Sequence, residues 1–326
     1  MFDNKKILIT GGTGSWGTTL VRLLLEKYNP REIIIFSRSE LKHVIMARSF
    51  NDTRIKFIIG DIRDREAITR AMRGVDIVYH LAAMKHLPVC EVNPLEAVKT
   101  NIDGTANIIE ACIANNVEYC IDVSTDKAAE PSNLYGMTKA VGEKLIIQAN
   151  DISDTKFICV RGGNVLGSSG SVVPFFIEQI KNGGPITITD VNMTRFFLTL
   201  EEAILLLFEA TVNSIGGETF VMRMPACNIL NLAEVIMDHY GKVDTIITGI
   251  RPGEKLDEVL VTKHEALLTR CWGEHYFVIL PPAMNDKLLN KYGDLPNIQY
   301  TEFDSKTETM SNELIKDRLI RGGFLV

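Results

Sequence analysis

The sequence predicts an α/β protein, in which a doubly wound parallel sheet is followed by a smaller C-terminal domain. Two observations support this fold class. In the first half, short apolar runs alternate with amphipathic stretches of helical length, which is the pattern of βαβ units. After about Gly162 this alternation ends, and glycine and proline become dense. The length of 326 residues is also suitable for two domains.

The predicted strands of the first half are apolar along their whole length, as expected where helices cover both faces of a sheet. They are Lys6–Thr10, Glu32–Phe36, Ile55–Ile59, Ile77–His80, Tyr119–Val123 and Phe157–Val160. The predicted helices between them are Thr18–Lys27, Arg65–Arg73, Pro94–Asn115 and Tyr135–Ala149. Another helix, Leu200–Val212, and another strand, Glu218–Met222, are expected to return to this sheet.

The domain boundaries follow from these elements. We predict a first domain made of residues 1–165 and about 192–225. The second domain is expected to contain residues from about 166 to 191 and from 226 to 326. It is expected to end in the helix Ser311–Arg321, with Gly322 as the stop signal.

Composition limits the classes of partner. Asp and Glu number 41 against 35 Lys and Arg, and the net charge of −6 excludes a broadly basic surface for nucleic acid or anionic lipid. We expect no membrane helix and no signal peptide, because the apolar runs are too short. The six cysteines lack metal-ligand spacing and mostly have apolar neighbours. We therefore expect buried free thiols, no metal, and a reducing, cytoplasmic location.

A phosphate-binding turn is predicted between the first strand and the first helix. Gly11, Gly14 and Gly17 are three residues apart. They respectively allow a tight turn, a close approach of backbone N–H groups to a pyrophosphate, and close packing of the helix. The preceding strand and following helix make a plain glycine-rich loop a poor alternative, so a Rossmann dinucleotide site is predicted. Its residues in this turn are Gly11, Thr13, Gly14, Ser15, Trp16 and Gly17.

The residues after the second strand indicate which dinucleotide binds. An acidic residue about 20 positions after the turn would favour NAD, because it bonds the ribose hydroxyls. Ser37, Arg38 and Lys42 stand in this region instead and are suited to a 2′-phosphate. We therefore favour NADP over NAD, the alternative being that Arg38 is a solvated surface residue. The other expected cofactor contacts are Asp61, Ile62, Leu81, Ala82 and Ala83.

Tyr135 and Lys139 form a Tyr-x-x-x-Lys pattern. Four positions apart, the two side chains lie on one face of a helix. An ammonium beside a phenol lowers the pKa of the phenol, so that the tyrosinate can take a proton from a sugar hydroxyl as hydride leaves its carbon. The pattern is weak alone but strong behind a glycine turn and βα units. We expect both residues to be catalytic and to contact the cofactor.

With these residues, the chain resembles the extended short-chain dehydrogenase/reductases, the superfamily of nucleotide-sugar epimerases and dehydratases. The fifth strand ends in Ser124-Thr125-Asp126-Lys127. This Thr-Asp-Lys form resembles the UDP-N-acetylglucosamine 4,6-dehydratases of bacterial surface-glycan synthesis. Further similar segments are 83–88, 163–168, 170–176, 193–196 and 249–255. The resemblance thus extends from residue 7 to about residue 280.

The resemblance implies a reaction that loses water and consumes no cofactor. Tyr135 deprotonates the C4 hydroxyl while NADP accepts hydride from C4, and Lys127 then removes the C5 proton. The C6 hydroxyl leaves with a proton from Asp126, and hydride returns to C6. Lys127 must be partly neutral, which we expect burial and a neighbouring cation, either Lys139 or the nicotinamide, to achieve. Asp126 must hold a proton, which needs a poorly solvated site. Thr125 is expected to hold the sugar O4, the alternative being a turn-capping hydroxyl.

The second domain is expected to bind the sugar nucleotide. A diphosphate needs permanently charged, bidentate donors, so Arg161 joins Arg195 and Arg251 as a candidate. The resemblance implies that Val172 and Pro174 shape the uracil pocket. The full set of expected substrate residues is Lys85, Asn164, Val172, Pro174, Arg195, Arg251 and Glu254. Lys85 is equally well explained as a solvated lysine.

The sequence departs from the usual pattern of these relatives at one position, and it allows several alternative functions. Relatives usually carry a tyrosine where this chain has Gly162, so one wall of the sugar site lacks its aromatic ring. The leading hypothesis is a UDP-N-acetylglucosamine 4,6-dehydratase, with C5 inversion left open. The alternatives are a nucleotide-sugar 4-epimerase, a dehydratase of another nucleotide hexose, and a non-catalytic NADP-binding sensor. By resemblance, the long helices are expected to form a homo-oligomer, either a dimer or a hexamer.

Overall fold

A computed structural model describes residues 1–167 and 171–325 and confirms the α/β class. The strands are β1 Lys6–Thr10, β2 Glu32–Ser37, β3 Ile55–Ile59, β4 Ile77–His80, β5 Tyr119–Thr125, β6 Lys156–Gly162, β7 Asn164–Val165, β8 Ile186–Ile188, β9 Thr194–Leu198, β10 Thr219–Met222, β11 Ala226–Asn228, β12 Thr245–Ile247, β13 Val259–Val261, β14 Thr269–Trp272, β15 Tyr276–Ile279 and β16 Phe303–Asp304. The α-helices are α1 Ser15–Lys27, α2 Glu40–Ser49, α3 Arg65–Ala71, α4 Leu87–Val92, α5 Pro94–Val98, α6 Gly104–Ala114, α7 Leu134–Gln148, α8 Val172–Lys181, α9 Leu200–Asn213, α10 Ile229–Tyr240, α11 Lys263–Ala266, α12 Asp286–Tyr292 and α13 Asn312–Arg321.

The main sheet has nine strands in the order β14-β15-β10-β6-β5-β4-β1-β2-β3. From β10 to β3 every neighbouring pair is parallel, and β15 and β14 add an antiparallel edge. The predicted return of a late strand is confirmed, because Phe220 of β10 pairs with Val160 of β6. The carboxyl ends of β1, β4, β5 and β6 therefore share one edge of the sheet, where ligands bind in open α/β sheets.

Helices cover both faces of this sheet, as predicted. On one face, α1 packs against α9 around buried residues such as Leu24 and Leu207. On the other face, α3, α6 and α7 bury Ile68, Ile108 and Ile146. Each such side chain contributes roughly 1.5–3 kcal/mol when it is fully buried. The two apolar layers hold the strand ends, and hence the site, in place.

The predicted helix Pro94–Asn115 is interrupted. Residues Lys99–Asp103 form a π-helical segment between α5 and α6. Within it, the Asn101 side chain accepts a hydrogen bond from the Met84 N–H at 2.8 Å and donates one to the Met84 carbonyl at 2.9 Å. The Asn101 side chain thus bonds the backbone just after the fourth strand. We infer that the π-helical turn aims this amide at the loop after β4, as such turns often do near functional sites.

The second part of the chain folds around smaller sheets. Strand β9 lies between β7 and β11, β8 pairs with β12, and β13 pairs with β16. Helix α10 packs on α8 and α13 and buries an apolar cluster that includes Phe176, Ile236 and Leu319. One feature differs from the predicted boundary, because β14 and β15, within 226–326, hydrogen-bond onto the first sheet through β10. Residues Ser168 and Gly170 of the segments similar to the dehydratases lie outside the described residues.

Two further expectations concern thiols and membranes. All six cysteines are free, and five are buried. Cys271 is only half-buried, because it lies on the edge strand β14. In residues 1–167 and 171–325, no helix combines the length and the apolar character that crossing a bilayer requires.

Candidate active site

A cavity of about 710 Å³ opens at the carboxyl ends of the parallel strands and extends to the second part of the chain. It brings together most of the residues that the sequence singled out. The predicted site residues that line it are Gly11, Thr13, Gly14, Ser15, Trp16, Gly17, Ser37, Arg38, Lys42, Asp61, Ile62, Leu81, Ala82, Ala83, Lys85, Thr125, Lys127, Tyr135, Asn164, Val172, Arg195, Arg251 and Glu254. The lining does not include Asp126, Lys139, Pro174 or Arg161.

The glycine turn has the geometry of an anion cradle. Gly11 has a φ of +64°, and a Cβ there would lie 2.9 Å from the backbone of Ala82. A Cβ on Gly17 would lie 2.2 Å from the Gly12 carbonyl oxygen. Both positions therefore require glycine. Helix α1 begins after Gly14, which provides no side-chain cap, so its first N–H groups and its dipole face the cavity and fit a pyrophosphate.

Polar and cationic groups gather where β2 ends. The Ser37 hydroxyl lies 3.2 Å from the Thr13 hydroxyl and 2.6 Å from Nε2 of His43. The Arg38 side chain is 59% exposed, and its guanidinium lies 3.8 Å from the carboxylate of Asp61. Lys42 also faces this end of the cavity. The donors present here fit the phosphate of an NADP ribose, although Asp61 stands opposite them.

Lys127 lies at the centre of a buried group of acceptors. Its Nζ is 3.0 Å from Oδ1 of Asp126, 3.3 Å from Oε1 of Glu258 and 3.5 Å from Oδ1 of Asn164. Burial acts to lower the pKa of Lys127, but the charges of the two carboxylates outweigh it and raise that pKa. The expectation of a partly neutral Lys127 is therefore wrong for this arrangement, because anions and not a cation are its nearest partners.

Asp126 lies beneath Lys127 rather than on the cavity wall. Its side chain is fully buried, and Oδ1 accepts a hydrogen bond from the Thr125 hydroxyl at 2.8 Å. Within the described residues, Oδ2 of Asp126 has no hydrogen-bond partner. The same Thr125 hydroxyl accepts a bond from the Lys127 N–H at 3.4 Å. Thr125 therefore caps the turn, which is the alternative role considered from the sequence. It also lines the cavity.

Tyr135 and Lys139 are both on α7, as predicted, but they face different surroundings. Tyr135 lines the cavity, and burial raises its pKa although the charges of Lys139 and Lys127 act in the opposite direction. Lys139 is buried and donates to both carboxylate oxygens of Asp122, at 3.1 and 3.2 Å. Lys139, which the sequence analysis expects to contact the cofactor, does not line the cavity in the described residues, because Asp122 of β5 binds its ammonium.

The two arginines of the predicted substrate site differ in their contacts. Arg195 is 6% exposed and donates to the backbone carbonyls of Thr194, Lys255 and Leu256. Arg195 lines the cavity, but its guanidinium is hydrogen-bonded to the backbone of the loop before β13. Arg251 is exposed and lines the cavity. Of the two, Arg251 is therefore the one whose guanidinium is presented to a ligand.

Two residues that were expected to contact a ligand do not line the cavity. Pro174 is exposed on α8 outside the cavity, because the first turn of that helix directs Val173 into the core and Val172 to the cavity. Arg161, a candidate phosphate donor, is buried. Its guanidinium nitrogens bond Glu143 at 2.7 Å and Glu265 at 2.9 Å. These two carboxylates raise the pKa of Arg161 against the effect of burial, so this arginine has a structural role.

The aromatic wall that Gly162 lacks is supplied from another element. A Cβ on Gly162 would lie 3.5 and 3.7 Å from two carbon atoms of the Trp16 indole. Trp16 comes from the start of α1 and lines the same cavity. The space beside residue 162 is thus bounded by the indole, which the pattern of the glycine turn did not indicate.

The sequence did not single out two acidic residues of this region. Glu258 lines the cavity beside Lys127, and Asp122 lies behind Lys139. The signal for Asp122 is an acidic residue inside an otherwise apolar strand run, which requires a buried partner. The signal for Glu258 is weaker, a carboxylate just before the apolar run Val259–Val261.

Comparisons with known proteins agree with this geometry. Residues 7–279 match a family described as polysaccharide biosynthesis protein. A UDP-N-acetylglucosamine 4,6-dehydratase (inverting) from Campylobacter jejuni (strain 81-176) is 47% identical over 298 residues, covering 90% of this chain and 87% of the relative.

Two other matches extend the comparison. A UDP-glucose 4-epimerase from Rickettsia canadensis is 40% identical over 283 residues, covering 85% of this chain and 83% of that protein. The X-ray structure of Pen from Bacillus thuringiensis is 37% identical, has a TM-score of 0.93 and covers 100% of both chains.

Proposed function

The chain belongs to the family of polysaccharide biosynthesis proteins that its residues 7–279 match, and from this premise we propose that it removes water from UDP-N-acetylglucosamine. The relatives support a nucleotide-sugar dehydratase as the class of enzyme. The product would be a UDP-4-keto-6-deoxy-N-acetylhexosamine, formed with or without inversion at C5. One observation carries the proposal: Lys127, which pairs with Asp126 beneath it and with Glu258 beside it, lines the same cavity as Tyr135.

The first step is oxidation at C4. A nicotinamide bound at the glycine turn would supply the redox chemistry, accepting hydride from C4 and later returning it to C6. Tyr135 takes the proton of the C4 hydroxyl, and the Thr125 hydroxyl beside it orients O4. The nearby charges of Lys139 and Lys127 act to lower the pKa of Tyr135, which favours its role as a base. A positioned general base contributes about 10²–10⁴-fold to the rate.

The second step is elimination across C5 and C6. The 4-ketone makes the C5 proton acidic. Proton transfer over the 3.0 Å between Lys127 and Asp126 converts their ion pair into an amine and a carboxylic acid without changing the total charge. The amine removes the C5 proton, and Asp126 gives its proton to the C6 hydroxyl, which leaves as water. Both groups then carry their original charges, so the expected roles agree with the observed ion pair. When hydride is returned to C6, C5 would take up one proton from Lys127 or solvent, which matches the proton that Tyr135 removed from O4.

The proposed dinucleotide is NADP. Support comes from Arg38 and Lys42 at the end of β2, and from Ser37, whose hydroxyl points into the same part of the cavity. Guanidinium and ammonium groups bind a 2′-phosphate through charge-assisted hydrogen bonds. With NAD these two cations would have only the Asp61 carboxylate, 3.8 Å from Arg38, as a counter-charge.

The sugar nucleotide is proposed to lie against the second part of the chain. Arg251 would bind the diphosphate, with Glu254 on the ribose and Val172 on the uracil. Asn164, whose amide oxygen faces Lys127, would contact phosphate or sugar. Under this proposal the dinucleotide binds to the predicted first domain. The sugar nucleotide binds mainly to the second, with Asn164 contributed by the first.

A homo-oligomer is also proposed. Helices α4 and α7 pack together and expose large apolar side chains. These include Val89, Val92, Met137 and Val141, with Leu95 of α5 nearby in the chain. A second copy of the chain that pairs these helices would cover the apolar surface. Light scattering on the purified protein would distinguish a dimer from a hexamer, and a monomer would contradict the proposal.

The experiment that tests the function is incubation with UDP-N-acetylglucosamine in D₂O, followed by NMR and mass spectrometry of the product. We expect loss of one water and deuterium at C5. The configuration at C5 in the same spectrum decides between retention and inversion. Unchanged substrate after incubation with either dinucleotide would contradict the proposal.

A 4-epimerase is the second candidate, because UDP-glucose 4-epimerases are found among relatives at 40% identity. Epimerisation needs Tyr135 but no group that removes a C5 proton, and it leaves Asp126 and Lys127 without a role. In the same experiment, an epimerase would give a product of unchanged mass that is inverted at C4 and contains no deuterium at C5.

A further inference from the structure

Glu258 is a buried carboxylate that faces the cavity and has no assigned role. Its side chain is 3% exposed, and Oε2 has no hydrogen-bond partner within residues 1–167 and 171–325. The backbone on both sides of the carboxylate is fixed, because the Glu258 N–H donates to the Ser305 hydroxyl at 3.0 Å and the Ser305 N–H donates to the Glu258 carbonyl at 2.9 Å. The carboxylate is thus held in place rather than free to turn to solvent.

We propose that Glu258 is a positioning residue of the acid–base group: its carboxylate holds Lys127 as an ammonium and thereby sets the strength of that lysine as a base. The inference deepens the proposed function, on which its catalytic consequence rests. Its electrostatic part concerns only the unliganded protein and stands independently of any substrate.

The geometry of the ammonium supports this role. Lys127 has three N–H donors, and three acceptors surround its Nζ: Asp126 at 3.0 Å, Glu258 at 3.3 Å and Asn164 at 3.5 Å. Asn164 is neutral. Asp126 is the group that receives a proton from Lys127 in the proposed elimination. Glu258 is therefore the acceptor that can remain an anion on the cavity side of Lys127 throughout that step.

The groups around Glu258 act on it in opposite directions. Burial and the charge of Asp126 raise the pKa of Glu258 above its ordinary value, and Lys127 and Arg195 offset only part of this rise. The Arg195 Nε lies 3.7 Å from Glu258 Oε1 and balances its charge when Lys127 becomes neutral. Tyr135, whose pKa responds to both Lys127 and Asp126, is a further titratable group here, and the Glu254 carboxylate lies 3.7 Å from the Arg195 guanidinium.

The consequence for the reaction is a stronger base. The proton at C5 of a 4-ketone is a weak acid, and an amine whose conjugate ammonium is stabilised by a fixed anion accepts such a proton more readily. Without the Glu258 carboxylate, the ammonium form of Lys127 loses part of its stabilisation in a poorly solvated site. The lysine then becomes neutral at lower pH and a weaker base.

The test measures the protonation of Lys127 without substrate. The full-length protein is treated with acetic anhydride, a small reagent that acylates a lysine only when its amine is neutral, and acetylation of Lys127 is followed by peptide mass spectrometry over a range of pH. In Glu258→Gln, we expect acetylation at least tenfold faster than in the wild type at a fixed alkaline pH, which corresponds to a fall of one pKa unit or more.

Two variants separate charge from shape. Glu258→Asp keeps the carboxylate and should restore slow acetylation. Asp257→Asn removes the adjacent negative charge, which bonds the Thr194 hydroxyl at 2.7 Å and Lys306 at 2.7 Å rather than Lys127, and should leave the rate at the wild-type value. Wild-type acetylation in Glu258→Gln, or equal acceleration in Glu258→Asp, overturns the proposal.

A second measurement keeps the inference distinct from the proposed function. In Glu258→Gln, the pH dependence of water loss should shift to lower pH, while the initial reduction of the dinucleotide keeps its own pH dependence. If acetylation responds but the protein does not dehydrate UDP-N-acetylglucosamine, the proposed function fails and the electrostatic role of Glu258 stands. If dehydration occurs and neither measurement changes, the inference about Glu258 is wrong.

Discussion

The Lys139 ammonium lies 3.1 and 3.2 Å from the two carboxylate oxygens of Asp122, and both side chains are almost completely buried. The pair joins the helix that carries Tyr135 to the central strand β5. Burial alone would lower the pKa of Lys139, but the charge of Asp122 raises it. Lys139 is therefore kept as an ammonium, as a residue that assists a tyrosinate base must be.

Asp122→Asn should be strongly destabilising. Removal of one partner leaves a buried ammonium without its counter-charge, which costs about 3–5 kcal/mol of unfolding free energy. The measurement is urea denaturation at neutral pH, followed by circular dichroism. Asp238→Asn is the matched control, because Asp238 pairs with Lys242 on the surface at 65–67% exposure. It should change the unfolding free energy by at most about 1 kcal/mol. Equal effects of the two variants would contradict a structural role for the buried pair.

His80 should make the fold sensitive to mild acid. Burial lowers its pKa from 6.5 to about 4, with a further lowering effect from Lys139 and an opposing one from Asp122. The unfolded chain therefore binds a proton at higher pH than the folded chain does. Stability is fully present above about pH 6.5 and falls as the pH decreases towards 4, by up to about 3 kcal/mol for this group.

The measurement is the unfolding free energy between pH 7 and pH 4 for the wild type and for His80→Gln. Glutamine can retain hydrogen bonds to the hydroxyls of Thr10 and Thr105, which lie 2.8 and 3.2 Å from the imidazole nitrogens. The other titrating groups are common to both proteins, so the variant should show the weaker loss of stability. Parallel curves for the two proteins would show that His80 does not contribute.

Asp126→Asn should separate oxidation from elimination. An amide cannot supply the proton that the C6 hydroxyl needs, so water loss should slow by about 10²–10⁴-fold. Reduced dinucleotide should then accumulate on the enzyme, visible in its near-ultraviolet absorbance after mixing with UDP-N-acetylglucosamine. Tyr135→Phe provides the contrast, because it should prevent that absorbance from appearing. Normal turnover of Asp126→Asn would exclude Asp126 as the acid.

Arg38→Ala should weaken the preference for NADP. Loss of a charge-assisted hydrogen bond to the 2′-phosphate costs about 1.5–3 kcal/mol, which is about 10–100-fold in the Kd for NADP. Binding of NAD should change little. Calorimetric titration with both dinucleotides measures the two affinities. Arg65→Ala, which removes an exposed ion pair with Glu110, should leave both unchanged. An equal loss for NAD and NADP would show that Arg38 does not read the phosphate.

Much of the fold was predictable because its signals are local. The alternation of strands and helices indicated the sheet, and the spacing of Gly11, Gly14 and Gly17 indicated the turn. The structure shows why glycine is needed in this turn, because neighbouring backbone lies too close for a Cβ. The antiparallel strands β14 and β15 were not indicated as part of the main sheet. They are short, and their pairing to β10 depends on how distant segments pack.

Within the site, the sequence by itself determined which residues share an element. Tyr135 and Lys139 are one helical turn apart, and Asp126 and Lys127 are neighbours, so their proximity follows from the backbone alone. Only the tertiary structure decided which charges meet. Glu258 and Asn164 approach Lys127 from distant segments of the chain. Asp122 forms an ion pair with Lys139. Glu143 and Glu265 form ion pairs with Arg161.

The physical reason lies in how protonation is set. The charge state of a buried group depends on the balance between burial and all of its nearby charges, and these come together only when separate elements pack. For this reason the resemblance could assign Lys127 as a base, but the sequence did not indicate that two carboxylates would lie beside its ammonium, and we expected a partly neutral amine. The carboxylates of Asp126 and Glu258, assembled by the fold, make it an ammonium.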